Sequence, residues 1–494
     1  MTDFDVIIIG GGVNGTGIAR DAAGRGLRVL LLEQNDLASG TSSGSTKLFH
    51  GGLRYLEYYE FKLVLQALKE REVLLANMPH ISWPLRFVLP HHRGLRPAWL
   101  LRLGLFVYDY IGGRKFLPAT KTLKLGAHKV GTPLKSEFTK AFEYSDCWVN
   151  DARLVALNAR DAATRGATVL TRAKCTWMDY VDGQWVVEYE TTDGTARATS
   201  TLVVNAAGPW LETVLENAEE RQGKYGLRLV RGSHIVVPKL FDHDQPYIFQ
   251  QADGRIIFAI PYEDDFTLIG TTDADHIGTA DKVECSAEEA AYLCDAASQY
   301  FETPVRLDQV VWKFSAVRPL LDDGVKSAAA ATRDYIVRWH GDGSRGPLLN
   351  IYGGKITTYR KLSEKVVNML VEHFPDAGVA WTTHAPMPGG DFTIDGAATL
   401  KEILIFQYPF LNDEWAQRLI RAYGTDADVM LDGASNEAAL GASFGASLTE
   451  REVTWLMQNE FAKRADDVVW RRSKLGLRMT PDQIDALDEW MLAV

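Results

Sequence analysis

The sequence predicts an α/β fold: a parallel sheet at the N-terminal end, a mixed strand-rich middle and a helical tail. Three observations carry this. Residues 1–33 read strand, glycine turn, helix and strand in that order. Residues from about 226 to 314 are dominated by short strand patterns. Beyond Pro386-Met387-Pro388-Gly389-Gly390-Asp391, the clearest linker, apolar positions recur at helical spacing and predict five or six helices.

The first segment is the most specific. Val6–Ile9 is a continuous apolar run, as expected of a strand buried on both faces. Gly10, Gly12 and Gly15 fall on G-x-G-x-x-G, Asn14–Gly24 reads as a helix, and Arg28–Leu32 as a second strand. Glu33 closes that strand, 23 residues after Gly10. This is a complete dinucleotide fingerprint. The glycines serve the tight turn, the backbone's approach to a pyrophosphate, and helix–strand packing. The helix N-terminus offers N–H groups to phosphate, and Glu33 can accept from ribose hydroxyls.

The chain has 494 residues, enough for two or three domains. Its 46% hydrophobic and 24% charged residues are ordinary for a globular protein. A net charge of −11 argues against a nucleic-acid binder, so an anionic substrate would need a local basic pocket. Cys147, Cys175, Cys285 and Cys294 form no C-x-x-C pair and read as buried small residues, with no metal site. The N-terminus runs directly into a strand and no apolar run reaches membrane-spanning length. The expectation is a cytoplasmic protein, peripheral on the inner face of the cell membrane.

After Glu33, residues 35–46 are small and hydroxyl-rich, suited to close approach by a nucleotide. Phe61–Asn77 has helical spacing, and Pro79–Pro97, with four prolines, reads as irregular or edge structure. Pro97–Ile111 is apolar, too short to span a bilayer, and flanked by Arg93, Arg96, Arg114 and Lys115. It reads either as a core helix or as an interfacial segment with Trp99, Phe106, Tyr108 and Tyr110 at headgroup depth against anionic lipid, which makes 93–115 the candidate membrane surface. Asp151–Arg165 is helical, and Gln184–Glu190 and Ala196–Val204 read as a meander. Leu202–Val204 is a buried strand ending at Asn205-Ala206-Ala207-Gly208, a second place for close backbone approach. Tyr335–Trp339 and Pro347–Tyr352 form a hairpin that ends at Gly353-Gly354-Lys355 before a helix near Thr357, another candidate anion site.

Lined up, these motifs resemble the FAD-dependent aerobic, quinone-linked glycerol-3-phosphate dehydrogenase family over essentially the whole chain. The matching segments are TSSGSTKLFHGGLRYLE at 41–57, NAAGPW at 205–210, GSHIVVP at 232–238, GTTD at 270–273, VRPL at 317–320, RDY at 333–335, GGKITTYR at 353–360 and WRRSK at 470–474. Ala316 stands where the family pattern leads one to expect glycine.

The resemblance implies a Rossmann-like FAD-binding domain of the D-amino-acid-oxidase type, a mixed-sheet substrate domain and a C-terminal helical domain. The expected boundaries are 1–78, 146–225 and 315–387 for the FAD domain, 79–145 and 226–314 for the substrate domain with its membrane-facing part, and 388–494 for the tail. It implies oxidation of sn-glycerol 3-phosphate to dihydroxyacetone phosphate, with hydride passing from C2 to flavin N5 and electrons to membrane quinone, and it admits a homodimer. Expected FAD contacts are Gly10, Gly12, Gly15, Glu33, Thr41, Ser42, Ser45, Cys175, Gly208, Gly354 and Thr357. Expected substrate ligands are Arg54, Tyr55, Arg318, Arg333 and Lys355, since a phosphate wants permanently charged donors. His234 is the first candidate base, ahead of His50 and a neutral Lys355; Lys355 and Arg318 are also expected at the reacting centre. His234 merely orienting the substrate is the competing reading. Other readings are a flavin oxidoreductase acting on a 2-hydroxy acid or amine, a non-catalytic membrane-associated flavoprotein, and an NAD-dependent dehydrogenase.

Overall fold

Strand Phe4–Ile9 lies inside the first sheet, paired in parallel with Gly194–Asn205 on one side and Val29–Glu33 on the other. The computed structural model describes residues 2–113, 115–218, 226–251, 254–321, 334–340 and 346–494, without the side chains of residues 54, 57 and 58. Leu348–Tyr352 and Thr168–Thr171 extend the parallel sheet at its two ends, and Ile336–Trp339 adds an antiparallel edge. A meander of Lys174–Val181 and Gln184–Thr191 joins Gly194–Asn205.

The period of two divides the first strand's side chains between two cores. Val6 and Ile8 pack with Ile18, Ala22, Val155, Leu362 and Val366, from three helices: Val13–Gly24, Asp151–Thr164 and Tyr359–Leu370. Ile7 and Ile9 pack on the other face with Trp185, Val187, Leu211 and Val214. The strand is thus covered on both sides, as its unbroken apolar run requires.

Among the described residues the second sheet has ten strands, including Leu227–Pro238, Phe266–Gly270, Ile256–Tyr262, Tyr247–Gln250, Ser82–His91 and Lys140–Val149. Trp312–Leu321 lies antiparallel to Leu227–Pro238 along nearly its whole length. The boundaries expected at 145/146 and 314/315 therefore fall inside strands of this sheet, and Leu48–Phe49 from the first segment also joins it. Of the two readings of residues 79–97, irregular or edge strand, the structure shows a strand. Ser82–His91 is a regular strand paired throughout with Lys140–Val149, despite Pro84 and Pro90. Its other edge meets Tyr247–Gln250 at a single point, Val88 with Tyr247, so the prolines cost no ladder bond there. Ala316 packs against Gly44, where an added Cβ would lie 2.3 Å from the Ala316 methyl.

Helix Ala98–Ile111 buries Leu105 and Tyr108 but leaves Trp99, Leu103, Phe106 and Tyr110 at least half exposed. Tyr108 corrects the interfacial reading: its hydroxyl donates to Asp146 at 2.8 Å and accepts the Gly51 N–H, so it faces inward. No described helix is long and apolar enough to cross a membrane. The tail forms a separate core around Trp415, Leu419, Tyr423, Leu456 and Val468. Its helices are Ala397–Gln407, Asp413–Tyr423, Asp426–Leu431, Glu450–Glu460 and Pro481–Ala493, with a π-helical turn at Asp467–Arg472.

Candidate functional site

A cleft of about 1000 Å³ opens at the C-terminal ends of the parallel strands, where α/β sheets bind ligands. Gly10, Gly12, Glu33, Thr41, Ser42, Cys175, Gly208 and Gly354 all line it. Gly10 must lack a side chain: its φ is +112° and a Cβ would sit 2.5 Å from the Ala206 carbonyl oxygen. Gly15 lies behind the cleft wall, where a Cβ would meet the Gly10 carbonyl oxygen at 1.9 Å, so its role is helix–strand packing.

Glu33 is buried in the cleft floor. Its carboxylate accepts the Gly11 N–H and the Asn35 N–H, each at 2.7 Å. Burial pushes its pKa up to about 7, against the pull of those two bonds. Helix Val13–Gly24 starts at Gly12 with no side-chain cap and no acidic residue in its first turn, which keeps its N-terminal field available to an anion. Ser42 Oγ accepts the Val13 N–H at 2.9 Å, and Thr41 Oγ1 donates to the Val317 carbonyl at 2.6 Å. Cys175 is buried, and its carbonyl accepts from Asn217 at 3.0 Å. Ser45 and Thr357 do not line the cleft. Ser45 donates to Asp151 at 2.7 Å, and the Thr357 hydroxyl accepts the His50 N–H at 3.2 Å.

Two of the candidate substrate residues adjoin residues that line this cleft. Arg318 precedes Pro319, and Lys355 follows Gly354, both of which line it. The Arg318 guanidinium is held by Asp273 at 2.6 Å and Thr271 at 3.3 Å. It fits because position 232 is glycine: a Cβ there would lie 2.5 Å from Arg318 Nη2. Lys355 caps the turn Ile356–Thr358 and places its Nζ 3.6 Å from the Tyr55 ring centre. The Arg54 side chain and Arg333 lie outside the described residues.

His234 is buried on strand Leu227–Pro238. Its Nε2 is 3.0 Å from Thr46 Oγ1, and its buried Nδ1 has no protein partner. The ring stacks on Phe314, 4.9 Å away at 9°. Burial, then the charges of Arg318 and Lys47, hold its pKa well below the usual histidine range. The imidazole is therefore neutral at neutral pH. Lys47 is buried against Asp151 at 2.7 Å and lies 5.3 Å from the Phe314 ring centre. No group of residues suited to hold a metal ion occurs among the described residues.

The sequence reading did not single out Thr46, Lys47, Asp151, Phe314, Thr271 or Asp273 as site residues. Thr46 and Lys47 lie within the 41–57 segment, and Thr271 and Asp273 within GTTD, so their motifs held a signal. Nothing local marked Asp151 or Phe314.

Residues 5–360 match the family model of FAD dependent oxidoreductases, and residues 380–491 that of the C-terminal domain of alpha-glycerophosphate oxidase. The chain belongs to the FAD-dependent oxidoreductases. Within that family it is 48% identical over 489 residues to a glycerol-3-phosphate dehydrogenase of Pseudomonas aeruginosa, covering 99% of this chain and 95% of the relative. It is also 48% identical to a D-erythritol 1-phosphate dehydrogenase of Brucella abortus, over 98% of this chain and 97% of the relative. To the aerobic glycerol-3-phosphate dehydrogenase of Escherichia coli it is 45% identical, covering 100% and 98% of the two chains. Among solved structures, the glycerol-3-phosphate dehydrogenase of Bacillus halodurans complexed with FAD aligns with a TM-score of 0.80 at 26% identity, over 99% of this chain and 90% of that one.

FAD is the cofactor of this oxidoreductase family, and the cleft fits it. The floor carboxylate, the helix start free of acidic residues and the cradle at Gly10 suit an adenosine diphosphate moiety. The buried Oδ1 of Asn14 has no protein partner and borders the same cleft, an acceptor that suits a hydroxyl or imide donor.

Proposed function

We propose that the enzyme oxidises sn-glycerol 3-phosphate to dihydroxyacetone phosphate and delivers the electrons to membrane quinone. The observation that supports this is Arg318, fixed by Asp273 and acting on the buried, neutral His234, with Lys355 following the cleft-lining Gly354. The names of the full-length relatives point to the same substrate class, a polyol phosphate.

FAD, when bound, supplies the acceptor for the hydride that leaves C2. The protein supplies binding, orientation and proton handling. Arg318, kept in place by Asp273 and Thr271, offers a rigid planar donor to the phosphate. Lys355 adds a second positive charge, and Tyr55 gives it an apolar wall. His234 is neutral and so holds one ring nitrogen as a lone-pair acceptor for the C2 hydroxyl proton. With Nε2 donating to Thr46, that acceptor is Nδ1. By their place in the sequence motifs, Arg54 and Arg333 complete the phosphate pocket.

Helix Ala98–Ile111 docks the enzyme on the inner face of the cell membrane. Its exposed Trp99, Leu103, Phe106 and Tyr110 enter the headgroup layer, and Arg93, Arg96 and Lys115 meet anionic lipid. A second reading, a longer polyol phosphate as substrate, is favoured by the equal identity to the D-erythritol 1-phosphate enzyme. Turnover followed by reduction of a soluble quinone analogue, with the keto-phosphate product of each substrate identified, tests the proposal. Product from glycerol 3-phosphate supports it; product only from erythritol 1-phosphate transfers it to the second reading.

A further inference from the structure

The helical tail reaches the buried histidine through a continuous chain of ring contacts, two stacked and one tilted by 34°. Trp470, in the π-helical turn Asp467–Arg472, lies on Trp312 at 4.9 Å and 18°. Trp312 contacts Phe314, two residues along the same strand face, at 4.7 Å. Phe314 is the cross-strand partner of His234 and stacks on its ring. The same π turn is pinned on its other side. Arg471 and Arg472 both pair with Asp36, at 2.5 and 2.7 Å, three residues past Glu33 in the sequence. Lys474, just beyond the turn, is buried near Trp312, 5.8 Å from its ring centre, and donates to the Trp470 carbonyl. Among helical segments, π turns are rare and recur at functional sites.

We propose that Trp470 is a positioning residue: through Trp312 and Phe314 it holds the His234 imidazole in its orientation and away from water. The tail is thereby a working part of the active site. This inference rests on the reading of His234 as the group at the reacting hydroxyl.

The physical argument is one of support. A ring stacked on one face keeps its plane only if the supporting ring is itself packed. Phe314 is partly exposed and has Trp312 beside it, and Trp312 in turn is backed by Trp470. The other cross-strand neighbour of His234 is Gly270, whose missing side chain leaves room for the ring: a Cβ there would lie 2.0 Å from it. The charged groups facing His234 are Arg318, from the strand that carries Phe314, and Lys47, from the preceding loop. Lys47 is neutralised by Asp151, and Lys474 stands beyond it with its pKa drawn down to about 7, first by burial and then by Lys47. Removing Trp470 admits water to this group and lets the imidazole tilt. Both changes relax the pKa of His234 upward and misplace its lone pair.

The test compares Trp470→Ala and Trp470→Phe with the FAD-loaded wild type. For Trp470→Ala the inference predicts that kcat falls about tenfold while KM for glycerol 3-phosphate stays within about twofold. The acid limb of the kcat profile should move towards neutrality, and Trp470→Phe, which can still stack, should restore most of the rate. Trp312→Leu, on the other side of the joint, should reproduce the Trp470→Ala change, which guards against a folding failure of one variant. Independently of substrate, 15N-histidine NMR with His234→Asn for assignment should show a single neutral tautomer in the wild type and a titrating or averaged ring in Trp470→Ala. Unchanged kcat, pH profile and His234 signals would overturn the inference, as would a loss shared equally by Phe and Ala. Wild-type flavin that glycerol 3-phosphate does not reduce would refute the proposed function, while the NMR comparison would still decide the coupling.

Discussion

The Glu33 carboxylate accepts the Gly11 N–H at 2.7 Å inside a cleft floor that leaves it almost no contact with solvent. Burial raises its pKa to about 7, so near neutrality the nucleotide-free protein holds this group partly protonated. Ribose hydroxyls donate to the ionised form. FAD affinity should therefore weaken as pH falls from about 8 to 6 and level off above about 8. Glu33→Gln should bind FAD about tenfold or more weakly, with that pH dependence removed. Titration of the apoprotein by flavin fluorescence checks both. The same shift acts on the stability of the apoprotein. The folded pKa exceeds the unfolded one, so folding takes up a proton, and stability should fall as pH rises from about 4.5 to 7.

Arg318, fixed by Asp273 at 2.6 Å, is the phosphate ligand of the proposed function. Arg318→Ala should lower kcat/KM for glycerol 3-phosphate by about a hundredfold, roughly 3 kcal/mol. Arg318→Lys should recover only part of it, since a point charge cannot replace a planar fork. Steady-state kinetics with FAD content measured alongside checks this.

His234 is held neutral by burial and by the charges of Arg318 and Lys47. A depressed histidine pKa leaves the base form populated down to acid pH. The kcat profile should therefore show no loss on lowering pH through the ordinary histidine range near 6.5. His234→Asn should cost about a hundredfold or more in kcat at all pH values. An acid limb centred near 6.5 would contradict the assignment.

Replacing Trp99, Phe106 and Tyr110 by Ser should release the enzyme from anionic vesicles while leaving flavin reduction by soluble substrate intact. These side chains are 70%, 51% and 55% exposed, so their loss removes no core contact of comparable size. Vesicle sedimentation measures it, and undiminished binding would count against this face.

The nucleotide half of the site was legible because its chemistry is local. Strand, glycines, helix and acid lie within Phe4–Glu33, and each residue type is dictated by backbone geometry or phosphate contact. The substrate half was legible only as motifs. The Asp273 support of Arg318 and the Thr46 contact of His234 cross between elements tens to hundreds of residues apart, and nothing in the local pattern encodes such pairings. The Ser45 hydroxyl donates to Asp151, which secures Lys47 as well, another contact between elements that the local pattern does not encode. Strand Ser82–His91 was obscured by its prolines, which only the one-sided pairing of the strand makes tolerable. For Tyr108 the core and interfacial readings stay open in the sequence, because helical spacing alone cannot tell which face meets Asp146.

Anaerobic stopped-flow reduction of the bound flavin tests the central claim most directly. The account predicts rapid, complete bleaching by sn-glycerol 3-phosphate, and none by glycerol or by 2-hydroxy acids at the same concentration. Bleaching by a hydroxy acid with the phosphoester inert would contradict it.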